Sequence, residues 1–230
     1  MTAQVIFADV FHVEQDEIQF AKSLQSLAAD LSISIPDLSI SYFFRYLVEL
    51  KKWNKAINLT AIDDDREILV KHFIDSIAGL KVIDINDETE FLDVGAGAGF
   101  PALPLKFVRP ELSVELLDPN EKKGAFLRYV VGTLGLVGAT VATAKLEDYA
   151  SRGNVQARFD YIVVRAFKVD ECGLALSTLL KPDGKLVLYR ADKVPGSFEL
   201  AGLALIEEVE YELPAKYGHR VLSVFSKSSG

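Results

Sequence analysis

Apolar positions in the first third of the chain recur at three- and four-residue steps. Within residues 1–35 the set is Ile18, Ala21, Leu24, Leu27, Ala28 and Leu31, and Pro36-Asp37 then punctuates it. From Ser41 the run YFFRYLVELKKWNKAIN repeats the pattern through Phe43, Leu47, Leu50 and Trp53 or Asn54. Between Asp65 and Leu80 it continues with Ile68, Leu69, His72, Phe73 and Ile77. A period near 3.6 over such lengths predicts amphipathic helices. Residues 1–84 therefore read as a helical N-terminal cap, and acidic Asp84–Glu90 as the turn that leaves it.

From Glu90 the pattern changes to short apolar runs. Strands are predicted at Phe91–Val94, Ser113–Leu117, Thr140–Thr143, Tyr161–Arg165, Lys185–Tyr189, Ala204–Glu212 and His219–Ser226. Helices are predicted between them at Pro104–Phe107, Glu121–Leu134 and Glu171–Leu180. Such alternation predicts a mostly parallel sheet covered on both faces. No helix separates the last two strands, so the seven-stranded sheet should end in an antiparallel hairpin. KPDG at 181–184 reads as a turn between helix and strand, where Pro182 and Gly184 fit sterically. The expected fold is α/β and Rossmann-like, with residues 85–230 as its ligand-binding domain.

Composition narrows this frame. A chain of 230 residues that is 50% apolar supports one such domain plus a helical extension. The single cysteine, Cys172, excludes an intramolecular disulfide and fits a reducing compartment. It follows Glu171 on a predicted helix without a His or Asp partner, so packing is its expected role. His12, His72 and His219 show no metal-ligand spacing, and no metal is expected. The first residues have no basic stretch leading into an apolar one, and no later run approaches a membrane span. A soluble, cytoplasmic protein is expected.

A net charge of −8 argues against a uniformly basic, nucleic-acid-coating surface. The charges are unevenly distributed, however. Acids cluster at Asp63-Asp64-Asp65, Asp84 to Glu90 and Glu207 to Glu212. Cations gather at Lys51-Lys52-Lys55, Lys71-His72, Lys122-Lys123 with Arg128, Arg165-Lys168, Arg190-Lys193 and Lys216-His219-Arg220. Several of these follow strand ends, on the ligand face of an open α/β sheet. They read either as ordinary solvated charge or as a local basic face.

The chemistry centres on FLDVGAGAGFP at 91–101, where an apolar strand runs into Gly95, Gly97 and Gly99. Closely spaced glycines let a backbone turn tightly beneath a nucleotide-like ligand. The spacing is G-x-G-x-G, unlike the G-x-G-x-x-G of dinucleotide binders, and Asp93 stands just before the turn. The next strand ends in Asp118, placed to accept both hydroxyls of a ribose. Together these look like the cofactor half of an S-adenosylmethionine (AdoMet) methyltransferase.

Four segments occur in order: WNKAINLT (53–60), KHFIDSI (71–77), FLDVGAGAGFPALPLKFVRPE (91–111) and VVRAF (163–167). Over about residues 40–226 the chain resembles the bacterial small-subunit ribosomal RNA guanine-N7 methyltransferases, also called the glucose-inhibited division protein B family. The resemblance implies a class I AdoMet-dependent fold and methyl transfer to N7 of a guanine in 16S ribosomal RNA, free or in a ribosomal particle. It implies AdoMet contacts at Gly95, Phe100, Leu146-Glu147 and Arg165, beside Gly97, Gly99 and the ribose acid Asp118. Glu147-Asp148 reads equally as the acidic first turn of a helix. The chain departs from the family's habit at Lys71, Lys145 and Arg190, where the family has Arg, Arg and Lys, and at Pro119-Asn120, where it often has Asp-Ser.

Guanine N7 has a lone pair and no proton, so no general base is needed and no nucleophile constellation is expected. Arg165 is the candidate catalytic group, positioning either the guanine or the cofactor. Phe167 reads as a stacking platform for the base or as a core aromatic. Arg190, His219 and Arg220 beside the pocket, and Lys122 and Lys123 flanking it, are the candidate RNA contacts; the two lysines read alternatively as solvating their helix. His72 reads as a polar contact between cap and cofactor site or as a structural helix histidine. Two competing readings are a nicotinamide-dependent oxidoreductase, disfavoured by the glycine spacing and the hairpin, and a non-catalytic AdoMet- or nucleotide-binding module.

Overall fold

A computed structural model of the chain describes residues 3–228. Helices α1 (Ala3–Asp30) and α2 (Asp37–Ile57) come first. A continuous helical stretch follows, built from α3 (Asp65–Ile68), a π-helical turn (Leu69–Ile74), α4 (Asp75–Ile77) and a final 3-10 turn (Ala78–Lys81). The strands are β1 (Glu90–Val94), β2 (Ser113–Leu117), β3 (Ala139–Ala142), β4 (Phe159–Arg165), β5 (Leu180–Arg190), β6 (Leu203–Leu213) and β7 (Gly218–Lys227). Between them lie α5 (Ala102–Val108), α6 (Glu121–Leu134), α7 (Leu146–Ala150) and α8 (Gly173–Leu179).

The seven strands are ordered β3-β2-β1-β4-β5-β7-β6. β7 runs antiparallel to both β5 and β6, and the other pairings are parallel, as the missing last helix predicts. Strand order reverses between β1 and β4, which opens a crevice at their carboxyl ends. Among the described residues, no helix is long and apolar enough to cross a membrane.

One apolar cluster joins the helical segment to one face of the sheet: Leu24, Phe43, Leu50, Phe73, Phe107, Val163 and Leu222 all belong to it. A smaller cluster covers the other face, around Leu92, Ile162, Leu176, Leu186 and Phe225. Within the first, Tyr46 packs 5.6 Å from both Phe100 and Phe107, and Phe43 packs 5.1 Å from Phe107, edge to face. Each such pair adds about 0.5–1.5 kcal/mol beyond area burial. The Tyr46 hydroxyl also donates to the Ala98 carbonyl, which ties α2 to the glycine turn.

Three expectations need correction. Ile18 is 57% exposed, and Phe20 takes its place in the core. The buried row is Phe20, Leu24, Ala28 and Leu31, and Ile18 lies off that row. KPDG is not a turn: α8 ends at Leu179 and β5 begins at once. Pairing with β4 jumps from Phe159–Leu180 to Tyr161–Lys185, so residues 181–184 form a bulge within the strand. A Cβ on Gly184 would sit 2.7 Å from the Phe159 carbonyl oxygen, hence the glycine. Finally, α8 starts at Gly173 rather than Glu171, with Cys172 as its N-cap residue.

Candidate functional site

The crevice between β1 and β4 is where the sequence motifs meet. β1 ends in the glycine turn, whose Gly95 and Ala96 N–H groups donate to the Leu117 carbonyl at 2.8 and 3.0 Å. Gly95, Gly97 and Gly99 have φ of +73°, +61° and +98°, the left-handed region that favours glycine. Their missing side chains face different things. At Gly95 a Cβ would meet the Phe167 ring at 3.2 Å, and at Gly99 it would meet Leu103 at 2.4 Å and Leu127 at 3.1 Å. At Gly97 it would meet only the Gly95 carbonyl oxygen, at 3.8 Å. Gly97 thus borders open space, while Gly99 lets the turn pack under α5 and α6.

Two carboxylates underlie this turn. Asp118 is only 5% exposed and held at both oxygens. Its Oδ2 accepts from Gly97 N–H at 2.9 Å, and its Oδ1 from Asn120 N–H at 2.8 Å. Each oxygen keeps a lone pair for another donor. Asp93 is fully buried; its Oδ2 accepts from Ala102 N–H at 3.1 Å, and its Oδ1 has no partner among the described residues. Burial pushes the Asp93 carboxyl up to about 7, against the pull of that hydrogen bond and of Arg165.

A cavity of about 100 Å³ opens beside Gly95. Leu117, Pro119 and Leu146 form apolar walls, and Lys145, Glu147 and Phe167 complete the lining. Leu146 and Glu147 open α7, so the acidic first turn and the cavity lining coincide. Phe167 is 40% exposed and is not a core aromatic. It stands one residue after Ala166, whose φ of +56° is strained for a residue with a Cβ. The Phe167 ring also lines a second cavity of about 360 Å³ beyond the ends of β4 and β5, with Lys168, Tyr189, Arg190 and Asp192.

Arg165, at the end of β4, is gripped by the helical segment. Its Nη1 donates to the Lys71 carbonyl and to Asp75 Oδ2, each at 3.2 Å. Its Nη2 lies 3.3 Å from His72 Nδ1. Asp75 in turn accepts from the Tyr211 hydroxyl at 2.8 Å. Phe100 lies under both groups: its ring is stacked 4.5 Å from His72 and lies 5.0 Å from the guanidinium carbon of Arg165. The π-helical turn brings Lys71, His72 and Asp75 to this spot; single π turns inside helices recur at functional sites.

The WNKAINLT motif explains itself here. The Asn54 side chain bonds both backbone groups of Thr60, at 2.9 and 3.0 Å, and this fixes the loop after α2. Thr60 Oγ1 then reaches His72 Nε2 at 2.7 Å. Burial, with Arg165 and Lys71 nearby, pushes the His72 imidazole down to about 3, so it is neutral. Asn54, Thr60, Asp75, Asp93 and Tyr211 were not singled out from sequence as site residues. The quoted motifs hold Asn54, Thr60, Asp75 and Asp93, and nothing in the sequence signalled Tyr211, which lies in β6.

The expected RNA contacts are scattered more widely. Arg190 lies at the mouth of the second cavity, its guanidinium 5.4 Å from the Phe198 ring. Arg220 approaches the Arg165 cluster, with Nε 3.7 Å from Asp75. His219 is instead bracketed by Glu210 at 3.2 Å and Glu212 at 2.9 Å on the β6–β7 hairpin. Lys122 and Lys123 stand on the first turn of α6, where Asn120 Oδ1 accepts from both backbone N–H groups. Cys172 is buried, and burial with nearby Glu147 raises its thiol, consistent with packing. Among the described residues no three His, Cys, Asp or Glu side chains converge as a metal site. The side chain of His12 lies outside the described residues.

These features suit AdoMet chemically. Gly97 borders the space a Cβ would fill, Asp118 offers a fixed carboxylate to a ribose, and Asp93 Oδ1 is an orphaned acceptor beneath the turn.

The family described as GidB: rRNA small subunit methyltransferase G matches residues 39–202. A protein named ribosomal RNA small subunit methyltransferase G from Lactococcus lactis subsp. cremoris (strain MG1363) is 35% identical over 198 residues, covering 82% of this chain and 83% of its own. Its namesake from Geobacter sulfurreducens is 37% identical over 207 residues, covering 86% and 94%. Among solved structures, a SAM dependent methyltransferase from Aquifex aeolicus aligns with a TM-score of 0.52 at 22% identity, covering 73% of this chain and 96% of that one. MtNAS in complex with MTA and tNA aligns with a TM-score of 0.54 at 14% identity, covering 84% and 75%. At those identities the two structures bear on the fold alone.

Proposed function

This chain belongs to the rRNA small subunit methyltransferase G family, and from that premise we propose that it transfers a methyl group from AdoMet to N7 of a guanine in small-subunit ribosomal RNA. The observation that carries the reading is the pair of cavities sharing Phe167 as a wall, one beside the end of β1 and the other beyond the ends of β4 and β5. One has the apolar walls that suit an adenine's faces, Leu117, Pro119 and Leu146 beside Gly95, and Asp118 lies in the chain between two of these wall residues. The other opens toward solvent beside Arg190, with room for a flat base.

We assign Gly95, Gly97, Asp118, Leu146 and Glu147 to the adenosine part of the cofactor and Phe167 to stacking on the target base. Phe100 acts beneath Arg165 and His72 rather than as a ligand wall. Bound AdoMet supplies an electrophilic methyl on a sulfonium. The chain's task is alignment, which can be worth about 7–11 kcal/mol of the barrier. His72, with an imidazole near 3, is a poor proton acceptor at neutral pH, which suits a nucleophile that has no proton to lose.

Arg165 has two N–H donors left after its three contacts. Both of them on the O6/N7 edge of guanine would occupy the lone pair that must attack. A planar carboxylate takes two such donors without that conflict. We therefore assign Arg165 to the methionine carboxylate of AdoMet.

Incubation with labelled AdoMet and small-subunit rRNA, as free RNA and as particles, tests the proposal. Label should appear on a guanine N7 in at least one form, and calorimetry should detect AdoMet binding but none of NAD. Unlabelled RNA in both forms, or tight NAD binding, would contradict it.

A further inference from the structure

His72 is partly buried against the residue assigned to the cofactor, and the reading above gives its ring nitrogens no role of their own. A guanidinium carries donors and no acceptor, so the 3.3 Å contact between Arg165 Nη2 and His72 Nδ1 is a hydrogen bond when Nδ1 is the bare nitrogen, the tautomer we assign. The ring proton then lies on Nε2 and is donated to Thr60 Oγ1 at 2.7 Å. That hydroxyl also accepts from Ile62 N–H at 3.1 Å, and Asn54 clamps the backbone of Thr60 from both sides. The ring face rests on Phe100, the same ring that underlies Arg165. The imidazole is therefore held on three sides: its face by Phe100, its Nε2 by Thr60 and its Nδ1 by Arg165.

We propose that Thr60 and His72 form a positioning pair for Arg165, in which the hydroxyl holds the ring at Nε2 and the bare Nδ1 sets the plane of the guanidinium facing the cofactor. The proposal rests on the assignment of Arg165 to AdoMet. On Nη1, the Lys71 carbonyl and Asp75 fix one end of the guanidinium, and His72 supplies the acceptor that fixes the other. Protonated, the imidazole would set a second cation and a second donor against Arg165. Its burial beside Arg165 and Lys71 opposes this. A packing role alone would use the ring face and neither nitrogen.

The test measures AdoMet affinity by calorimetry, which needs no RNA and so stands apart from the question of the methyl acceptor. His72→Phe keeps the stacking face and removes both nitrogens; affinity should fall roughly 10- to 100-fold, the range for a hydrogen bond to a charged group. His72→Asn, whose Oδ1 takes the place of Nδ1, should recover most of the loss. In an Arg165→Met background, His72→Phe should change affinity little further, since the pair acts through Arg165. Imidazole 15N spectra of the parent should show a protonated Nε2 and a bare Nδ1.

Equal losses from His72→Phe in both backgrounds would make His72 a packing residue and overturn the proposal. Unchanged affinity in His72→Phe, with Arg165→Met impaired, would overturn it while sparing the role of Arg165. Normal AdoMet affinity in Arg165→Met would remove that role and the proposal with it.

Discussion

Gly97 and Gly99 share a left-handed backbone and differ in what stands over them, which separates ligand binding from folding at single-residue scale. Valine at either position incurs a left-handed penalty of about 1–2 kcal/mol. At Gly97 the branches enter the open space above the turn, so AdoMet binding should be lost with only a modest drop in melting temperature. At Gly99 they collide with Leu103 and Leu127, adding an overpacking cost of about 1–3 kcal/mol, so Gly99→Val should melt lower than Gly97→Val. Melting curves and AdoMet titrations of the two variants check this ranking. A Gly97→Val protein that binds like the parent would move the site elsewhere. The sequence spacing reveals a ligand turn and assigns all three glycines to the cofactor alike. It cannot tell which glycine faces α5 and α6, because that depends on packing between residues distant in the chain.

Elements were legible where one periodicity ruled, as in α2, α6 and the seven strands. They were misread where two rules competed. KPDG has turn chemistry, yet pairing with β4 absorbs it as a bulge. The helix from Asp65 keeps its apolar period through the π turn, so the sequence gives no warning of the widening that presents His72 and Asp75 together. That turn and the end of β1 carry two groups with opposite responses to pH. His72 sits near 3 in the fold and about 6.5 when unfolded, so its contribution is present above about 6.5 and is lost as pH falls toward 3. Asp93 sits near 7 in the fold and about 3.9 unfolded, so its contribution is full below about 3.9 and is lost as pH rises to 7. Between about 4 and 6.5 the two oppose each other. Asp93→Asn removes the second, so its melting temperature relative to the parent should decline steadily from pH 7 to 4. Parallel pH profiles for parent and variant would contradict this account.

At the scale of the whole molecule, a chain of net charge −8 is proposed to bind a polyanion. Part of its acid is already paired within the fold. Asp64 caps α3, Asp65 pairs with Lys51, Glu90 and Glu115 share Arg158, and Glu210 pairs with Lys193. The charge clusters were legible from sequence, but not these pairings; His219 illustrates this, predicted beside the pocket and found between two glutamates. Lys122 and Lys123 remain testable because α6 tolerates acids at its first turn, where they favour the helix dipole. Lys122→Glu with Lys123→Glu should therefore keep the fold and AdoMet affinity, weaken RNA binding and flatten its salt dependence. RNA methylation unaffected across a salt series would leave these lysines as solvent-facing charge. The central claim, methyl transfer to guanine N7 of small-subunit rRNA, is tested most directly by mapping N7-methylguanosine in that RNA from cells with and without the gene. The account predicts an N7-methylated guanine that disappears with the gene and returns with the parent copy but not with Gly97→Val. Identical maps with and without the gene would contradict it.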